Sequence, residues 1–309
     1  MSSQSYETRL NEWREQIDLC IKDELRSSIY PEEFKEILDY ALFPGGKRLR
    51  PVLFLEWHSL TAPPDERALK FACAIEIMHC YSLVHDDMPC MDNDDVRRGK
   101  PSLHKKYGEG KALLAGDALL NMAYRMLAEA ADTENRMVLN RLVSYFGGDG
   151  GIIHGQYLDL YGNASDINEL MKMYAKKTAA LISVACVTGY LFPMYSFDLN
   201  ISDILNYVDT TERMGADRFA DPQSAAAVLF GETIKFGVSF GIAFQIYDDL
   251  SEYISGERSD GTTVIDYMDL EEAKKLLNEY LNLAISTLDN YYDADTRYIR
   301  EIAKSIVIV

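Results

Sequence analysis

Apolar residues recur along this chain at three- and four-residue steps. Leu10, Trp13, Ile17 and Ile21 form one series, Phe71, Ile75, Met78 and Leu83 a looser second, and Leu276, Tyr280, Leu283 and Leu288 a third. Such steps keep residues on one face of a 3.6-residue helix, so each series predicts an amphipathic helix. No long stretch alternates apolar with polar residues as a half-buried strand would. The run Phe146-Gly147-Gly148-Asp149-Gly150-Gly151 lacks the preceding strand that a dinucleotide-binding glycine loop needs, and predicts a break or hinge between helices. With no internal repeat, low-complexity tract or long linker, the pattern predicts one all-α domain over residues 1–309, with roughly a dozen helices.

Composition narrows the function. The 309 residues carry 31 Lys+Arg against 49 Asp+Glu, a net charge of −18. Phosphate backbones bind to positive fields, so nucleic acid is excluded as a partner, while small anions held by local cations or a metal are not. Cys20, Cys73, Cys80, Cys90 and Cys186 are odd in number and contain no C-x-x-C pair. They read as reduced core thiols of a cytoplasmic protein. The polar start, Met1 to Arg14, does not resemble a signal sequence, and no apolar run approaches the ~18 residues of a membrane span.

Two acidic clusters stand out. The first runs His85-Asp86-Asp87-Met88-Pro89-Cys90-Met91-Asp92-Asn93-Asp94-Asp95 and ends at Arg97-Arg98. In isolation such a run could be a solvated loop. On an unbroken helix Asp86 and Asp92 would lie about 240° apart and could share no ligand. Pro89 between them disturbs the helix and lets Asp92 swing back beside Asp86. The second cluster, Phe244-Gln245-Ile246-Tyr247-Asp248-Asp249-Leu250-Ser251-Glu252, places Gln245, Asp248, Asp249 and Glu252 on one helix stripe. Alone, that stripe could face solvent or line a cavity; beside the first cluster, the cavity reading is preferred. Facing carboxylate clusters suit Mg²⁺, which favours one or two carboxylates plus phosphate oxygens.

Cations for phosphates are present as well. Gly45-Gly46-Lys47-Arg48-Leu49-Arg50-Pro51 is a Gly-rich turn with three cations, which suits an anion or simply a basic helix start. His79 lies two helical turns before Asp86. Gly155-Gln156-x-x-Asp159 and Lys177-Thr178 add polar groups inside apolar helices.

In this order, with the stretch Leu114 to Leu119, these motifs resemble the trans-isoprenyl diphosphate synthases of the polyprenyl synthetase family, most closely the bacterial farnesyl and geranylgeranyl diphosphate synthases. The resemblance implies an isoprenoid-synthase helical bundle around a deep central cavity, usually a homodimer. It implies a prenyltransferase that joins isopentenyl diphosphate head-to-tail to an allylic diphosphate, dimethylallyl or geranyl. Asp86, Asp87, Asp92 and Asp248, with Asp249 and Glu252 completing the second carboxylate set, would hold Mg²⁺ on the allylic diphosphate, which Arg97 and Lys177 would contact. Lys47, Arg50, His79 and Arg98 would bind isopentenyl diphosphate. Thr178 and Gln245 would place oxygens near the carbocation, and Gln156 would add a polar substrate contact. Tyr81, about 7.5 Å before Asp86 along a helix rising ~1.5 Å per residue, would form the floor of the chain pocket, a short-chain pattern implying farnesyl diphosphate.

Some positions depart from the family pattern. Glu252 stands where the second motif usually ends in Asp. The segment Tyr253 to Thr263 is shorter than usual and holds no Lys; Arg258 is its only cation. The end of the chain, Ser305 to Val309, is apolar where many relatives are polar or basic. Two alternatives follow: a terpene cyclase or lyase on the same fold, which needs no second diphosphate site, and a non-catalytic modulatory subunit. Retention of Lys47, Arg50, His79 and Arg98 argues against the first, and survival of both Asp pairs against the second.

Overall fold

The periodic series form helices in the computed structural model of this protein, which describes residues 5–43, 46–194, 225–256 and 261–306. Gly45, Arg258 and the terminal Val307 to Val309 lie outside the described residues. The chain divides into two compact units, Met1–Leu55 with Pro63–Asn140, and Glu56–Ala62 with Arg141–Val309.

In the first unit α1 (Tyr6–Ser27) starts where the Ser5 side chain accepts from the Thr8 amide. Of its predicted series, Ile17 and Ile21 are fully buried. Next come α2 (Glu32–Leu42), the start of α3 (Leu49–Ser59) and α4 (Glu66–Asp86), which is capped by Asp65 through the Ala68 amide. Every residue from Phe71 to Met78 of α4 is buried, so this helix is the core of its unit. It packs against α6 (Glu109–Ala130), which follows the short α5 (Leu103–Tyr107). Among the described residues the only strands are β1 (Val96–Arg97) and β2 (Lys100–Pro101), joined antiparallel. Their turn holds Arg98 at φ +55° and Gly99 at φ +73°, the pair of positive values that a tight two-residue hairpin needs.

The second unit takes in the end of α7 (Glu134–Gly147), then α8 (Ile152–Tyr161), α9 (Ile167–Tyr174), a π-helical turn (Ala175–Ala179), α10 (Ala180–Leu191), α11 (Ala225–Ser255), α12 (Leu270–Thr287) and α13 (Arg297–Lys304). The Gly147 to Gly151 run separates α7 from α8, as expected. In α12 the buried stripe is Ala273, Leu277, Tyr280, Leu281, Ala284 and Thr287. Leu283, expected inside, is 37% exposed. Tyr280 and Leu288 are buried as expected; adjacent apolar pairs such as Leu276–Leu277 leave the phase of this helix open in sequence.

Three glycines bring the second unit's helices into backbone contact. A Cβ on Gly241 would stand 2.4 Å from the Ala179 Cα, one on Gly237 2.4 Å from the Ser183 Cα, and one on Gly155 2.2 Å from the Lys177 nitrogen. Only hydrogen fits there. The π turn is thereby clamped by α11 on one side and α8 on the other.

All five cysteines are free thiols. Cys73, Cys80 and Cys186 are buried, whereas Cys90 is exposed, so the core-thiol expectation fails for Cys90. Among the described residues no helix is long and apolar enough to cross a membrane.

Candidate active site

In the first unit α4 stops at Asp86 and the chain turns through Pro89. The Asp92 amide donates to the Asp86 carbonyl at 2.8 Å and the Asn93 amide to the Met88 carbonyl at 3.1 Å. Asn93 closes the turn at φ +57°. Asp92 thus returns beside Asp86, as Pro89 predicted, and both side chains are half-buried.

The other aspartates of the run have internal cations. Arg97 donates through Nε to Asp87 at 2.9 Å and through Nη2 to Asp94 at 2.8 Å, and Lys105 pairs with Asp95 at 2.7 Å. Asp87 is buried; that burial raises its pKa, with Arg97 pulling the other way. The sequence reading put Asp87 among the metal ligands and Arg97 on the allylic diphosphate, whereas here the two are paired with each other.

A group of cations converges on His79. Arg50 is buried, and the Arg98 guanidinium lies against Gly46, where a Cβ would meet it at 2.7 Å. Burial, then Arg50, Arg98, Arg97 and Arg48, lowers the His79 pKa well below its ordinary range. Lys47 is exposed, and its carbonyl accepts from Arg14 Nε at 3.1 Å.

Arg48 serves a different purpose from its neighbours. It is 2% exposed, sits at φ +50°, and donates to Asp18 at 2.9 Å, Glu76 at 3.0 Å and the Leu42 carbonyl at 2.8 Å. Burial opposes its charge, yet Glu76 and Asp18 hold its pKa above the ordinary value. Of the three cations in the Gly-rich turn, Arg48 belongs to the core. Tyr81 is buried, edge-on to His85 with ring centroids 5.9 Å apart. Its phenol is pushed up to about 12 by burial, with Tyr124 and Asp86 adding to the effect.

In the second unit the clamped π turn presents Lys177 and Thr178. Lys177 Nζ donates to Asp159 of α8, close to Gln156, which is buried on the same helix. The Thr178 hydroxyl donates to Gln245 Oε1 of α11 at 2.6 Å. Gln245 Nε2 donates to Asp249 Oδ1 at 2.9 Å, while the Val264 amide, at 3.1 Å, and the Tyr174 hydroxyl both donate to Asp249 Oδ2. The expected stripe therefore splits: Asp249 is 5% exposed, whereas Asp248 and Glu252 are half-buried. Burial raises the Asp249 pKa against the pull of these donors.

A model of the polyprenyl synthetase family matches residues 31–210. A farnesyl diphosphate synthase of Micrococcus luteus is 32% identical over 278 residues, spanning 84% of this chain and 85% of the relative. The chain belongs to the polyprenyl synthetase family. A geranyltransferase from Legionella pneumophila superposes with a TM-score of 0.79 at 25% identity, covering 97% of this chain and 96% of its own. An FPP/GFPP synthase from Zymomonas mobilis gives 0.76 at 30% identity, with 98% and 99% covered.

Two residues of this polyprenyl synthetase site were absent from the expected set. Tyr174 reaches Asp249 across 75 positions of sequence, and Val264 contributes only its backbone. The available signal for Tyr174 was its place four residues before Thr178, at the end of an amphipathic helix. The donor set suits Mg²⁺. It offers carboxylate oxygens, and among the described residues no three acidic, His or Cys side chains gather into a cage of their own.

Proposed function

We propose that residues 1–309 act as a single short-chain trans-prenyltransferase domain, joining isopentenyl diphosphate head-to-tail to dimethylallyl or geranyl diphosphate and yielding farnesyl diphosphate. The observation that carries the reading is the group of cations, Arg50 and Arg98 among them, around His79. A cyclase handles one diphosphate; Lys47, Arg50, His79 and Arg98 provide for a second.

In this reading Asp86 and Asp92 of the first unit, and Asp248 and Glu252 of the second, would be ligands for Mg²⁺, which would supply charge neutralisation to a departing diphosphate. Lys177, released from Asp159 by the incoming anion, contacts the allylic diphosphate, as does Arg97 when it leaves Asp87. The Thr178 and Gln245 oxygens face the allylic cation, which the isopentenyl double bond attacks before a proton is lost. Apolar walls keep out the water that would turn the cation into an alcohol. The protein works as a cytoplasmic homodimer.

The test is turnover by the purified chain with Mg²⁺, isopentenyl diphosphate and each allylic primer, with products separated by length. A prenyl diphosphate of defined length supports the reading. Hydrocarbon or alcohol from the allylic substrate alone would replace it with a cyclase or lyase, and diphosphate binding without turnover would point to a modulator. Tyr81→Ala, opening the floor, is expected to lengthen the product by at least one isoprene unit; an unchanged product would show that the floor lies elsewhere.

A further inference from the structure

Gln245 is an amide, and its two ends carry opposite partial charges. Which end faces Thr178 therefore decides what the site presents to a cation. The neighbour on its other side orients the amide: Nε2 donates to Asp249 Oδ1, while the second oxygen of that carboxyl group already accepts from Tyr174 and Val264. With Asp249 Oδ1 2.9 Å from Nε2, the Gln245 oxygen must turn toward Thr178, whose hydroxyl donates to it at 2.6 Å and keeps its own lone pairs. A flipped amide would set two oxygens against each other and aim N–H dipoles, positive end outward, toward Thr178.

Asp249 is itself held. The Tyr174 hydroxyl and the Val264 amide both donate to its far oxygen, and the carboxylate is 5% exposed. Val264 opens the 3₁₀ turn fixed by the Thr263–Asp266 capping box, so that donor is set by backbone; Tyr174 is the last side chain of α9 before the π turn. Three donors therefore converge on a carboxylate that the sequence reading took for a metal ligand. Resting on the prenyltransferase reading above, we infer that Tyr174, acting through Asp249, is a positioning residue. It locks the Gln245 amide so that the Gln245 and Thr178 oxygens are presented to the allylic cation.

Tyr174→Phe removes only the hydroxyl. Loss of one hydrogen bond in the chain is expected to lower kcat about five- to tenfold. KM for both substrates should stay within about twofold, because the oxygens act on the cation and not on the bound diphosphates. The share of allylic substrate captured by water as prenyl alcohol should rise. Asp249→Asn, which can accept or donate, should show at least as large an effect. In a Gln245→Ala background Tyr174→Phe should change kcat no further, since nothing remains to position. A purely structural tyrosine would instead lower the melting temperature and leave kcat per folded molecule, alcohol share and additivity untouched; that result overturns the inference.

The orientation is also readable without turnover. The Gln245 side-chain amide signals in a ¹⁵N–¹H spectrum, assigned by their loss in Gln245→Ala, should shift or broaden in Tyr174→Phe. Unchanged signals would overturn the lock. Wild-type protein that makes no prenyl product would sink the prenyltransferase reading, with the lock still tested by these spectra.

Discussion

Asp92→Ala is expected to lower kcat on the order of 10³-fold, and Asp86→Ala to do the same. The acidic run contains five aspartates, and the structure separates them by partner. Asp95 pairs with Lys105 at the surface, and Asp87 and Asp94 share Arg97. Asp86 and Asp92 are brought together by the Pro89 turn and a 2.8 Å backbone hydrogen bond. In the proposed reaction, removing either would take a carboxylate oxygen from the charge balance at the leaving diphosphate, where the cost would fall on the transition state. The discriminating control is Asp95→Ala. Its side chain is 68% exposed and its ion pair contributes about 0–1 kcal/mol, so kcat should change less than about twofold. Steady-state kinetics at several Mg²⁺ concentrations checks both arms: Asp92→Ala should need more metal, Asp95→Ala should not. Equal losses from Asp92→Ala and Asp95→Ala would mean that the run acts as an undifferentiated negative patch.

The largest effect on stability is expected from Arg48→Met, about 3–5 kcal/mol. Methionine keeps much of the apolar stem but leaves Glu76 as a carboxylate 2% exposed, with its Arg48 partner gone and Glu76 Oε2 already without one. It also removes the donor to the Leu42 carbonyl at the end of α2. Urea unfolding followed by circular dichroism should show the midpoint falling. The double variant Arg48→Met/Glu76→Leu, with no stranded charge, should recover most of the loss. Failure of that recovery would show that the Asp18 and Leu42 contacts, not the buried pair, dominate. This prediction also separates Arg48 from Lys47 and Arg50. A diphosphate ligand would respond first in binding, whereas Arg48 would respond first in folding.

Much of this was legible in the sequence because it depends on short-range geometry. Helical period placed Ile17, Ile21, Phe71, Ile75 and Met78 in the core, and a proline between two aspartates predicted that Asp92 would return to Asp86. What stayed hidden depends on long-range partners. Arg48 reads like its neighbours Lys47 and Arg50 until Glu76 and Asp18 arrive from α4 and α1. Arg97 and Asp87 look like separate ligands until the hairpin pairs them. That hairpin left no periodic trace, since two-residue strands are too short to alternate. In α12 Tyr280 is buried as expected and Leu283 is not, because adjacent apolar pairs such as Leu276–Leu277 satisfy two helical phases. Tyr174 drew no reading from sequence, because its hydroxyl finds its partner, Asp249, 75 positions away.

The three glycine contacts around the π turn have a consequence for how this protein can vary. Gly155, Gly237 and Gly241 set main chain directly on main chain at Lys177, Ser183 and Ala179. No rotamer change in a neighbour can make room there, because the obstacle in each case includes backbone. Mutational freedom should therefore be low at these three residues. A library selected for new chain lengths would find its tolerated changes on the walls, at positions such as Tyr81, and would return these three codons unaltered.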